Sequence, residues 1–99
     1  MIFEWDDKKN KSNLKKHDVS FEEGRTIFYD PNVLTKPDPD HSEQEERWLS
    51  IGISENLRVL LVVHLELTSD SEPHMRIISA RKATKLEKLQ YAKIAGIKL

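Results

Sequence analysis

From Leu57 to Leu67 the chain alternates without a break. Leu57, Val59, Leu61, Val63, Leu65 and Leu67 hold one parity, and Arg58, Leu60, Val62, His64 and Glu66 hold the other. Strand side chains point to the two sheet faces in turn, so a run of this kind belongs inside a sheet. The all-aliphatic parity is the predicted core face. The other parity mixes cations with aliphatics and is predicted to line a partly covered groove.

Strands are predicted on both sides of this run. Leu49, Ile51 and Ile53 alternate with Trp48, Ser50 and Gly52 from Arg47 onward, and Ser54-Glu55-Asn56 supplies a hairpin turn. After a turn over Thr68 to Pro73, Met75, Ile77 and Ser79 take one face of a further strand and Arg76 and Ile78 the other. On this reading Arg76 joins Arg58 and His64 on the mixed face. Thr84 and Glu87 then form a capping box that starts a helix at about Lys85, which buries Leu86 and Leu89 and ends near Gly96. The connector before it sets Arg81 and Lys82 beside a helix N-terminus, a corner that suits a phosphate.

In the first third of the chain, Ile2 to Trp5 reads as a short strand and Asp6 as the cap of a helix over Asp7 to Lys16. Leu14 is the only large apolar residue of that helix, so it lacks the stripe that usually pins a helix to a core. Asn10, Leu14 and His17 share a face, with Asn13 beside His17. Ser20 and Glu23 form a second capping box for a helix to about Tyr29, with Phe21, Ile27 and Phe28 as its core residues. Gly24 costs roughly 1 kcal/mol of helix propensity against alanine and reads as a local defect. Asp30-Pro31-Asn32 is a turn, Val33 to Thr35 a short strand, and Lys36 to Glu46 an exposed acidic loop.

These elements make residues 1–99 a single small α+β domain, an antiparallel sheet with two N-terminal helices and one C-terminal helix. The absence of cysteine excludes disulfides and thiolate metal sites. No basic leader precedes an apolar run, and no run approaches the ~20 residues of a membrane span. A cytoplasmic protein is expected. The formal net charge is −1, yet the cations are blocked: Lys8, Lys9, Lys11, Lys15 and Lys16 lie in a stretch without an acid, and a second block runs from Arg81 to Lys98. Local potential steers a polyanion, although such blocks are also ordinary solvated faces.

Several stretches together resemble the BrnT toxins of bacterial type II toxin–antitoxin systems. Phe3-Glu4-Trp5-Asp6 with Lys8, Asn13 and Lys16-His17 is similar to the opening signature, and Val19-Ser20-Phe21-Glu22-Glu23 continues it. Asp30-Pro31, Glu46-Arg47, Gly52, Arg58, Arg76 through Thr84, and Tyr91 complete it. Gly24 stands where the family usually has alanine, and Asp18 where glycine is common. The resemblance implies a RelE-like ribonuclease fold and a toxin that cleaves RNA and inhibits translation. It also implies a cognate ribbon-helix-helix, BrnA-like antitoxin in a hetero-oligomer, with DNA contacted only through that antitoxin.

RNA cleavage without a metal needs the 2′-hydroxyl deprotonated, the phosphorane charge held and the leaving oxygen protonated. His17 is the expected acid or base, because imidazole titrates near neutrality; its plain alternative is a helix-end histidine. Arg58, Arg76 and Arg81 are the expected phosphate clamp, since guanidinium forks match phosphate oxygens; ion pairing is their alternative. Tyr91 completes the catalytic set by stacking on a base or donating to phosphate, against the commoner fate of core packing. Lys8, Lys15, Lys16, Arg47 and Lys82 are expected RNA contacts. No pair of histidines has zinc-site spacing, so neither metal nor cofactor is expected. The alternative function is a non-catalytic partner that binds the antitoxin and modulates operon repression.

Overall fold

The computed structural model describes residues 1–40, 46–67 and 72–98. Its elements are β1 (Ile2–Glu4), α1 (Asp7–His17), α2 (Phe21–Gly24), a short 3-10 helix (Arg25–Tyr29), β2 (Leu34–Pro37), β3 (Arg47–Ile53), β4 (Val59–Leu67), β5 (His74–Lys82) and α3 (Lys85–Ala95). Residues 68–71 of the expected turn over Thr68 to Pro73, and residues 41–45 of the acidic loop, His41 included, lie outside the described residues. One sheet runs in the order β1-β5-β4-β3-β2, with β4 at its centre. Every pairing is antiparallel except that of β1, which lies parallel to β5. No helix among the described residues is long and apolar enough to cross a membrane.

Residues opposite one another in register share a face, and this divides the sheet. Leu60, Val62 and His64 look toward α1, α2 and the 3-10 helix, and with Val19, Phe21, Ile27, Ile77 and Ala80 they are buried in the larger core. The mixed parity of β4 is therefore the main core face, contrary to the expected groove. Alternation reveals that two faces differ but not which one receives the helices, and here three helical segments land on this one. His64 Nε2 lies 2.7 Å from Ser50 Oγ, which in turn is 2.7 Å from Thr35 Oγ1, while Nδ1 is buried without a hydrogen-bond partner among the described residues. On the other face, Val59 packs with Ala83 and Tyr91 beneath α3, whereas Val63 and Leu65 are only half-buried.

β5 does not alternate simply. Val63 pairs with Ser79 but His64 with Ile77, so Ile78 is a bulge residue without a partner on β4. Ile77 and Ala80 consequently share the core side, while Arg76 opposite Leu65 and Arg81 opposite Leu61 share the α3 side. The expected grouping of Arg76 with Arg58 and His64 is thus corrected: the sheet stands between them.

Helix α1 is fastened by amides in place of an apolar stripe. Leu14 is exposed, whereas Asn13 is buried and bonds to β5 and to Val19 O. Asn10 Nδ2 donates to Glu22 Oε1 (2.7 Å) and its Oδ1 accepts from Phe21 N (2.8 Å), tying the two N-terminal helices together. Gly24 is no defect. A Cβ there would stand 3.2 Å from Ala80 Cβ and 3.5 Å from Val62 Cγ2, so its absence lets α2 lie close to the sheet. Leu86 and Leu89, expected in the core, are 64% and 60% exposed. The sheet side of α3 is instead Tyr91, Ala92 and Ala95, because Tyr91 sets the rotation of the helix and the alanines permit its approach.

Candidate nucleic-acid interface

The end of α1, the start of β4 and the end of β5 meet at one corner. Glu23 is buried there and accepts from Ser54 Oγ (2.7 Å) and from both Nε (2.9 Å) and Nη2 of Arg58. The Arg58 guanidinium holds this carboxyl below the usual carboxylate range. Arg58 Nη2 also donates to Asp18 O (2.9 Å), and the Asp18 carboxylate lies 3.6 Å from Arg58 Nη1 and 3.6 Å from Lys82 Nζ. Asp18 is the left-handed C-cap of α1, at φ 59°, and directly follows Lys16 and His17 in the last turn of that helix. Arg58 is thus the partner of a buried acid, and its fork is occupied.

Arg81 turns to the opposite face. Its Nη1 and Nη2 donate to the two oxygens of Glu87 at 2.8 and 3.0 Å, and Glu87 Oε1 also accepts from Thr84 N (2.8 Å) in the capping box of α3. Arg81 foremost pushes the Glu87 carboxyl down to about 2. The phosphate-friendly corner expected here already holds a carboxylate of the chain itself. Tyr91 is 1% exposed and donates its hydroxyl to Asp30, which also accepts from Ile53 N and Asn32 N, each at 2.8 Å. Tyr91 therefore occupies the core, the commoner of the two fates weighed for it.

Beyond the reach of α3, the same face stays open. Arg47 of β3, Leu65 of β4, Arg76 of β5 and Glu4 of β1 stand in register across four strands. With strands about 4.8 Å apart, the backbones at Arg47 and Arg76 are about 10 Å apart. Leu65 stands between them, and Leu49 and Val63 form the next row toward α3; none of the three is buried although they lie within a five-stranded sheet. At the β1 margin Glu4 accepts from Arg76 Nη1 and from His74 Nε2, both at 2.6 Å. Arg76 foremost, and then His74, draw the Glu4 carboxyl below its ordinary range. Sequence reasoning missed Glu4 and His74 as site residues. His74 and Arg76 are two apart on a strand and so share a face, which was legible; the parallel pairing that brings Glu4 to them was not.

The sequence model described as "Ribonuclease toxin, BrnT, of type II toxin-antitoxin system" matches residues 5–87. The chain belongs to the BrnT family. Its fold is similar to the crystal structure of the Brucella abortus ribonuclease toxin BrnT, with a TM-score of 0.59 at 22% identity over 86% of this chain and 100% of that one. No curated protein matches the sequence.

Within this BrnT chain the expected site residues fall into separate groups. Arg58 and Lys82 meet at Asp18, the residue that follows Lys16 and His17 in the chain, and Lys8, Lys15 and Lys16 are exposed along α1. Arg47, Arg76 and Arg81 share the α3 side of the sheet, and Tyr91 is buried under α3. Among the described residues, this chain thus carries two groups of cationic residues, one on each side of the sheet.

Proposed function

We propose that this BrnT chain is an endoribonuclease that takes single-stranded RNA across the open half of the α3 side of the sheet and thereby inhibits translation. The observation that carries the reading is the row Arg47–Leu65–Arg76, which sets two guanidinium-bearing residues around an uncovered aliphatic floor. Guanidinium groups hold phosphate oxygens, and a low-polarity floor strengthens that hold while bases lie against it. Cleavage proceeds by attack of the ribose 2′-oxygen on the adjacent phosphorus: the O2′–P bond forms, the P–O5′ bond breaks, and a 2′,3′-cyclic phosphate remains. Arginines near the phosphorane stabilise the charge gathered there. Arg81 contributes from the edge of this surface when Glu87 yields part of its fork.

The test is cleavage of a single-stranded RNA oligonucleotide by purified protein, with products checked for the cyclic phosphate. Folded Arg47→Ala and Arg76→Ala proteins are expected to lose about 10²–10³ in rate, the size associated with one donor to a developing oxyanion. Wild-type rates in both, with activity lost in His17→Ala, would move the chemistry to the α1 corner.

The same surface accounts for neutralisation. Leu49, Val63 and Leu65 beside Arg47 and Arg76 suit an amphipathic acidic segment of a ribbon-helix-helix antitoxin, which would exclude RNA by occupying the face. If the chain binds such a partner tightly yet leaves RNA uncut, the non-catalytic reading replaces the enzymatic one.

A further inference from the structure

At the β1–β5 margin of the open face, one carboxylate joins an imidazole to a guanidinium. Glu4 Oε1 lies 2.6 Å from His74 Nε2 and Glu4 Oε2 lies 2.6 Å from Arg76 Nη1. An ionised carboxylate only accepts, so Nε2 carries the hydrogen and the lone pair of neutral His74 sits on Nδ1. Among the described residues Nδ1 has no hydrogen-bond partner. The three side chains are part-exposed, at 27% for His74, 37% for Glu4 and 38% for Arg76, so a ligand on the face reaches them. A base held by a second group that fixes its tautomer, beside a cation able to hold a phosphate, is the arrangement that proton abstraction next to a phosphodiester calls for.

We propose that His74 is the general base of RNA cleavage, with Glu4 positioning its imidazole and Arg76 holding the scissile phosphate; this rests on the ribonuclease reading above. His74 Nδ1 takes the proton of the 2′-hydroxyl as the O2′–P bond forms. The electron pair of the P–O5′ bond leaves on O5′, which takes a proton from water. The imidazolium then returns its proton to solvent. The other described histidines are placed less well: His64 is sealed in the core, and His17 has no hydrogen-bond or ion-pair partner among the described residues to orient it. The charged neighbours of His74 are Glu4 on β1, Arg76 on its own strand, Glu66 across the adjoining recess, and the Met1 amino group, which is 3.7 Å from Glu72 Oε2.

The decisive experiment is single-turnover cleavage of an RNA oligonucleotide by the full chain from pH 5 to 9, for wild type, His74→Asn and Glu4→Gln. The His74→Asn protein is expected to be slower by about 10²–10⁴ and to lose the rise of rate with pH that deprotonation of a base produces. Its affinity for the 2′-deoxy oligonucleotide should be unchanged. Glu4→Gln should slow cleavage while leaving affinity for the 2′-deoxy oligonucleotide unchanged, because the amide holds the imidazole less firmly than the carboxylate does. A folded His74→Asn protein with the wild-type rate and profile overturns the assignment and leaves the ribonuclease reading standing, whereas a wild-type protein that cuts no RNA overturns both. A measurement that needs no variant is the NMR signal of the His74 ring on adding the 2′-deoxy oligonucleotide: a shift supports the assignment, and an unmoved ring overturns it.

Discussion

The side-chain amide of Asn13 closes a ring with the backbone of Ala80: its Nδ2 donates to Ala80 O at 2.7 Å, and Ala80 N donates to its Oδ1 at 3.3 Å. The same Nδ2 donates to Val19 O at 2.8 Å, so one buried amide binds α1, β5 and the loop after α1. Asn13→Ala leaves three buried backbone groups unpaired and is expected to cost about 2–4 kcal/mol. Asn13→Asp should cost at least as much, because a carboxylate cannot donate. Urea unfolding of the two variants checks this; a loss below 1 kcal/mol in both would show that α1 is held by something else.

Arg58 is expected to reveal itself as a fold residue before it reveals anything about RNA. Removing it strands the buried carboxylate of Glu23, and breaking such a pair costs about 3–5 kcal/mol. Arg58→Ala should therefore unfold at far lower urea than wild type. The double variant Arg58→Met, Glu23→Gln should recover much of the difference, because no charge is then left buried and alone.

His64 sets a pH dependence of stability. Burial pushes its imidazole down to about 4, while in the unfolded chain it returns to the ordinary 6.5. Below pH 6.5 the unfolded state therefore binds more protons than the native state, and stability falls as pH falls toward 4. The full effect is roughly 3 kcal/mol, at 1.36 kcal/mol per unit. Carboxylates held low, such as Glu87 at about 2, lose their contribution only at more acid pH, so the two effects separate. Chemical denaturation at pH 7 and pH 4.5 should show this loss in wild type and little of it in His64→Gln. Equal losses in the two proteins would contradict it.

Tyr91 and Asp30 tie α3 to β3, and Tyr91→Phe should cost about 2 kcal/mol, the size of a hydrogen bond to a charged acceptor. Burial, and then Asp30, push the phenol well above the ordinary tyrosine range. Alkaline absorbance should therefore show a tyrosine that ionises only as the chain unfolds, a signal that Tyr91→Phe removes.

Much of the architecture was legible because it is local. The capping box of Thr84 and Glu87 placed the start of α3, and alternation placed β3 and β4. Choice of face was not legible. Leu60, Val62 and His64 looked like the poorer core row of β4, yet they are the buried one, because three helical segments pack there by contacts remote in sequence. Gly24 looked like a flaw for the same reason: its benefit is the closeness of Ala80, which lies 56 positions away by number. Of the candidate site, the cations were readable as types. What they face was not: Arg58 and Arg81 each meet a carboxylate of the chain, and Glu4 reaches Arg76 only through a parallel pairing that no turn signal announces.

Arg76 and Arg81 are five positions apart, an odd interval, and on an unbroken strand they would point to opposite sides. The extra residue at Ile78 is what brings both to the side of α3. Straightening the strand with Ile78 kept as a paired residue would leave every cation of β5 in the sequence while sending Arg81 into the packed side and lifting Ala80 out of it, whereas excising Ile78 would make the interval four and keep both arginines where they are. In this fold, then, how the residues between two charges are paired matters as much as the charges themselves.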